Sequence, residues 1–300
     1  KITIQNVEII GSNIVSKHTS SMPLIFFSSL DIIVMKNIII ANSYAMSTAP
    51  ALFISLGLID KVGEVSNIIF ENNTIIGAVA LLQQVGSNNR QSVILDNFII
   101  RNNNISKGYG GNFPFTGARD VSNITWTNFL IQNNTISGDL FFTFFSGSGF
   151  KVDNFKFEDN TVDCQNCQFA MLCVLGSTDV QILRNIHIER DNIRSSTTLN
   201  YFDIRQVSNQ FLFENVWIDD VQITGDGSIF SLQSSGSVKI SNISAYNNRL
   251  TAFLKPDVEK AVISNFAAQN NSFQGDLIHI PRSCNLEISD RKSTRLNSSH

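Results

Sequence analysis

The sequence predicts an all-β solenoid, a parallel β-helix of about ten coils with three short strands each, on three observations. A ten-residue motif returns about every thirty positions. Apolar side chains alternate within it as they do along a strand. Pairs of Asn punctuate it where the chain must turn.

The motif reads "SNIIFENNTI" at 66–75, "DNFIIRNNNI" at 96–105 and "TNFLIQNNTI" at 127–136. Its anchor is the Asn before the first apolar residue: Asn6, Asn37, Asn67, Asn97, Asn128, Asn154, Asn185, Asn215, Asn242, Asn265 and Asn285. The spacings are 31, 30, 30, 31, 26, 31, 30, 27, 23 and 20. For Asn6 through Asn265, the residues one, three and eight places after the anchor are all apolar, as in Phe98, Ile100 and Ile105. A polar pair such as Asn72-Asn73, Asn102-Asn103 or Asn133-Asn134 sits between the third and eighth places. Asn tolerates left-handed backbone, so the pair reads as a corner.

A second strand-like run precedes the anchor, as in Ser92 to Leu95 and Val238 to Ile240, and a third follows the corner, as in Ala78 to Leu82 and Ile229 to Leu232. Three short strands cannot close a core alone. Stacked on the next copy about 4.8 Å away, they can. Stacking places Ile on Ile inside and Asn on Asn at the edges, where the amides bond along the axis. Asn67, Asn97, Asn128, Asn154, Asn185, Asn215, Asn242 and Asn265 are therefore structural residues.

Composition agrees: apolar residues make up 43% of the 300, charged ones 16%, with 34 Asn and 23 Phe. A net charge of -3 offers no basic footprint for nucleic acid. No run of eighteen apolar residues exists, so no spanning helix is expected in this stretch. Leucine-rich repeats, the hexapeptide left-handed helix and propellers each need a different beat. The last eleven residues, "DRKSTRLNSSH" from Asp290 to His300, lack the periodicity. They match the translation of a common sequencing adapter; a natural polar tail is the other reading. The expected organisation is one β-helix domain over 1–289, truncated at both ends, and a disordered appendage over 290–300.

The repeat resembles the right-handed parallel β-helix of the pectin-lyase-like superfamily. That resemblance covers residues 1–289 and implies the fold, which hosts enzymes, adhesins and tail spikes alike. "FENN" at 70–73 and "FEDN" at 157–160 also resemble the Phe-x-x-Asn element of polymorphic outer-membrane-protein repeats, found in large surface proteins. The companion Gly-Gly-Ala-Ile element is reduced to Gly77-Ala78.

Polysaccharide cleavage is the chemistry the superfamily implies, and its Gly-His-Gly and Arg-Ile-Lys motifs are missing. An adjacent acidic pair, Asp219-Asp220, stands in "VWIDDVQ". Alignment puts Glu189 and Arg190 one coil back and Tyr246 and Asn247 one coil on. Glu189, Arg190, Asp191, Asp219 and Asp220 then form a charged patch. It is either a weak general acid–base site or a solvated corner with an ordinary ion pair. Cys164, Cys167, Cys173 and Cys284 and the dispersed His residues form no zinc or nucleophile pattern, so no cofactor and no metal are expected. Sequons begin at Asn72, Asn104, Asn123, Asn133, Asn242 and Asn270, no more than chance supplies in so Asn-rich a chain.

The third strand is apolar at both parities: "LFFTFF", "FAMLCVL", "YFDI", "SIFSL". One parity faces the core, and the other predicts an outward apolar stripe with Phe141, Phe142, Phe144 and Phe145. Either a partner or missing chain covers it. The function these features imply is a non-catalytic extracellular or cell-surface β-helix segment, in adhesion or a structural surface role. Its partner is a protein or a carbohydrate. The rival is a carbohydrate-active lyase or hydrolase, or its inactive remnant. A self-assembling scaffold that joins through open coil ends is a third reading.

Overall fold

The computed structural model describes residues 1–16, 22–27, 30–56, 59–84, 92–106, 115–116, 121–137, 140–164, 169–177, 180–195, 199–207, 209–225, 227–275, 278 and 285–294. The strands pair in parallel with their copies one repeat away, so the chain is a parallel β-helix. Equivalent positions share one register. The third residue after the anchor runs Ile9, Ile40, Phe70, Ile100, Ile131, Phe157, Ile188, Ile218, Ala245 and Ala268 in one unbroken column. From Ile40 onward every member is buried. One place after the anchor, Phe98, Phe129 and Phe155 stack with ring centroids 4.8 and 4.7 Å apart, which is the rung spacing itself. Among the described residues no helix is long and apolar enough to cross a membrane.

The anchor Asn is itself a bend. Asn6, Asn37, Asn67, Asn97 and their successors to Asn265 all have φ between 53° and 60°. The register skips each of them: Asp96 and Phe98 pair with the next coil while Asn97 does not. Burial slips by one place there. In Ser92–Arg101, Leu95 points in, Asp96 and Asn97 point out, and Phe98 points in again. Thus the run before the anchor and the run after it form one bent strand, where three separate strands per coil are expected from sequence. Elsewhere strands also run on without a break, as in Leu140–Glu158 and Gly227–Tyr246.

Two side-chain ladders hold the bends. The outer one joins anchors: Nδ2 of Asn37, Asn67 and Asn97 donates to Oδ1 of the anchor one coil back at 2.8–2.9 Å. Asn128 and Asn185 donate instead to Asp96 and Asp153, the residues before the preceding anchors. The inner ladder uses the second residue of the corner pair. Asn73, Asn103, Asn134 and Asn160 are at most 2% exposed. Nδ2 of Asn103 donates to the Phe70 carbonyl and to Asn134 Oδ1, while its own Oδ1 accepts from the Asn73 backbone N–H and Nδ2, all at 3.0 Å. Both donors and both acceptor sites of the buried amide are filled.

The third strand departs from expectation. Tyr201 and Phe202, Ile229 and Phe230, and Phe253 and Leu254 are adjacent pairs, and all six residues are at most 1% exposed. The outward apolar stripe expected in "YFDI" and "SIFSL" is therefore absent. Both parities there touch the interior: Tyr201 lies 6.4 Å from Phe157 and Phe202 lies 5.5 Å from Phe213. The side chains of Phe141, Phe142, Phe144 and Phe145 lie outside what is described, as do the cysteine side chains. At the C-terminus the loss of periodicity does not end the sheet. Asn285–Thr294 pairs with Ala252–Gln269, so the first residues of the segment expected to be disordered are a strand. The open edge of the last coil supplies the template for that pairing. Arg291 and Ser293 occupy the columns of Phe266 and Ala268, so the apolar repeat does end there.

The ladders make a contrast that denaturation can read. Asn103→Ala leaves the buried Asn73 N–H without its acceptor and lowers stability by about 3 kcal/mol or more. Asn97→Gly keeps the left-handed bend and costs less than about 1 kcal/mol. Urea midpoints of the two variants, set beside the parent, test the order.

Candidate functional site

Between the anchor bend and the corner, each coil shows four residues of strand. Two point in and two point out, the second and fourth after the anchor. Parallel register lines the outward ones into two adjacent rows. One row contains Leu130, Lys156, His187, Trp217 and Ser244. The other contains Gln132, Glu158, Glu189, Asp219 and Tyr246. Toward the N-terminus the first row runs through Ile99, Ile69 and Ile39 to Glu8, so an apolar stretch from Ile39 to Leu130 gives way to polar residues at Lys156.

This places the sequence-predicted acids. Glu189 and Asp219 pair in register, as expected, and Asp219 is followed by Tyr246. Arg190 and Asp220 occupy the first corner position in left-handed backbone, with φ of 53° and 49°. The Arg190 guanidinium donates to both oxygens of Asp159 one coil back, at 2.6 and 3.0 Å, and also contacts the Glu189 carboxylate. That bond holds the Asp159 carboxyl below its ordinary value. Asp219 accepts from Asn247 Nδ2 at 3.0 Å. Among the described residues neither Asp219 nor Asp220 has a cationic partner within ion-pair distance. No group of three or more His, Cys, Asp or Glu side chains among them is arranged to hold a metal ion.

Asp191 does not join the patch. It takes the inner-ladder column of Asn160 and is 1% exposed. Its Oδ1 accepts from the Asn160 backbone at 2.7 Å and from Asn160 Nδ2 at 3.1 Å, and its Oδ2 accepts from the Tyr201 hydroxyl at 2.7 Å. Burial pushes its carboxyl up to about 7, against the lowering effect of those bonds. The Tyr201 phenol is raised as well, by burial first and by the neighbouring carboxyl. In the next coil the column holds Val221, whose N–H turns to Asn248 Oδ1 at 2.9 Å. The inner ladder is thus broken between Asp191 and Val221.

Sequence reasoning missed the aromatic half of the surface. Trp217 is 42% exposed, although its side chain is among the most costly to leave in water. Tyr246 lies 5.0 Å away and His187 6.1 Å away, centroid to centroid, on either side of it. Burial, and next the charge of Lys156, push His187 below its ordinary value, so the ring is neutral at neutral pH. Its 3.4 Å approach to Glu189 is then a contact and not an ion pair. The signal was present as "VWIDD", where Trp217 takes an outward column that holds Lys156 and His187 in the two preceding coils.

No protein family, no curated protein and no solved structure matches the chain.

Asp191 sets the pH response of the stack. Its proton is held until about pH 7 in the folded chain, whereas an unfolded Asp releases it near 4. Between those values the unfolded state binds fewer protons, so stability falls as pH rises. The loss across this window is on the order of 4 kcal/mol. Asp191→Asn removes it, keeps the acceptor for Asn160, and unfolds at higher urea than the parent at pH 8. Melting at pH 5 and pH 8 measures the difference.

Proposed function

We propose that the chain is a non-catalytic β-helix segment of an extracellular or cell-surface protein, with a role in adhesion or surface structure. The observation that carries this reading is the outward face between the two bends. It repeats on coil after coil as a rigid, registered surface, and its acids are not arranged as a catalytic set. Arg190 ties Glu189 to Asp159, and the carboxyl that retains its proton near neutral pH, Asp191, is buried in the ladder. A general acid must reach the leaving group from solvent. Glu158, Asp159, Glu189, Asp219 and Asp220 outnumber Lys156 and Arg190, so the surface repels an acidic polysaccharide.

The superfamily resemblance stays part of this proposal: the chain uses a pectin-lyase-like scaffold without its chemistry. The rival carbohydrate-active reading has one observation in its favour, an exposed Trp217 beside two carboxylates. Incubation with a panel of acidic and neutral polysaccharides decides between them. The expected outcome is no release of reducing ends or unsaturated products above a Glu189→Gln, Asp219→Asn double variant. Turnover that vanishes on Asp219→Ala would establish the enzyme. Protease shaving of intact cells tests location, with loss of the chain expected.

A further inference from the structure

We propose that the outward sheet face centred on Trp217 docks a basic peptide segment of a partner protein. An arginine or lysine side chain lies on the indole and pairs with Asp219 and Asp220. The inference rests on the binding half of the adhesion reading and names the class of partner.

Four observations carry it. The first is the indole itself. At 42% exposure Trp217 stands out of a solenoid that encloses Trp126 at 2%. The second is its fixed placement. Tyr246 at 5.0 Å and His187 at 6.1 Å hold the ring from neighbouring coils, so no ordering is needed on binding. The third is room. Along its row the register continues to Ser244 and then Ala267, small side chains that leave the surface beyond the ring shallow. The fourth is charge. Arg190 is engaged with Asp159 and Glu189 and acts on Asp220 only through its charge, while among the described residues neither Asp219 nor Asp220 has a cation within ion-pair distance.

Those features match one chemistry. A cation over a Trp face is drawn to the ring quadrupole, and Trp is the strongest aromatic for this. The same cation reaches a carboxylate beside the ring and forms a charge-assisted bond. Guanidinium suits both, since it stacks flat and donates in its own plane. An acidic chain meets like charge at this face. A neutral sugar could stack on the indole but leaves both aspartates without a counter-charge. His187, neutral at neutral pH, adds no competing positive charge.

The experiment uses the whole chain and a labelled oligo-arginine peptide, with oligo-glutamate and a neutral cello-oligosaccharide as the other arms. Fluorescence anisotropy of the peptide and the emission of Trp217 are read together. Saturable oligo-arginine binding is expected, weakened about tenfold or more in Trp217→Ala and in the Asp219→Asn, Asp220→Asn double variant. Asp257→Asn, an acid outside the patch, leaves it unchanged. Binding also weakens with added salt, as an ion pair at the surface requires. Equal affinity in all variants would overturn the proposal, since it would show general attraction to an acidic protein. Saturation of Trp217 emission by the oligosaccharide but not by oligo-arginine would overturn it in favour of a sugar surface. Either failure leaves the non-catalytic reading standing, because that depends on turnover.

Discussion

A buried amide that satisfies itself only through its copy in the next coil is the constraint on which this molecule depends. The inner corner residue must leave the solvent, because the coil closes over it. An isolated buried amide is costly. A column of them is not, since each one donates forward to its neighbour and back to a strand carbonyl. The arrangement works only if consecutive coils match in register and in residue type. Periodicity in the sequence is the direct trace of that requirement. Once the corners are fixed, the strands between them have one available pairing. The apolar columns of Ile and Phe then follow, and the core is the sum of these columns.

Left-handed backbone is the second element. Two residues per coil take positive φ, the anchor and the first corner residue, and they are almost all Asn. The anchors bond from coil to coil through their amides, and several first-corner residues do so as well, as from Asn133 to Asn102. The outer surface is consequently stiff where it turns, and the short strand between the two turns is held at both ends. That strand bears Trp217, Glu189 and Asp219. A face built in this way presents its side chains without loop motion, which suits recognition by rigid complementarity.

Much of this was readable from residues alone. Stacking makes every coil obey the same template, so aligned columns showed which positions face inward and that Glu189 would lie beside Asp219. The anchor bend was harder to see. Asn97 sits between two apolar runs, and only the slip from Leu95 to Phe98 betrays it. By charge Asp191 belongs with the surface acids, yet it shares the buried column of Asn103, Asn134 and Asn160. Its charge argues for the surface, while its position in the column requires the interior. Trp217 is hard to place from sequence because alternation alone does not say how far an outward indole stands from the sheet. The third strand resisted for a different reason. Alternation assigns one face inward, while Tyr201 and Phe202 both reach the interior.

The two ladders run in opposite senses. Inner amides donate toward the C-terminal end, as from Asn73 to Asn103, and outer ones donate toward the N-terminal end, as from Asn67 to Asn37. Each column is a chain of aligned amide dipoles, and the two chains oppose one another along the axis. A solenoid whose strands all pair in parallel could accumulate a field from end to end. In this one the side chains at its two bends point their amide dipoles in opposite senses wherever both ladders run, so the bends oppose each other along the axis.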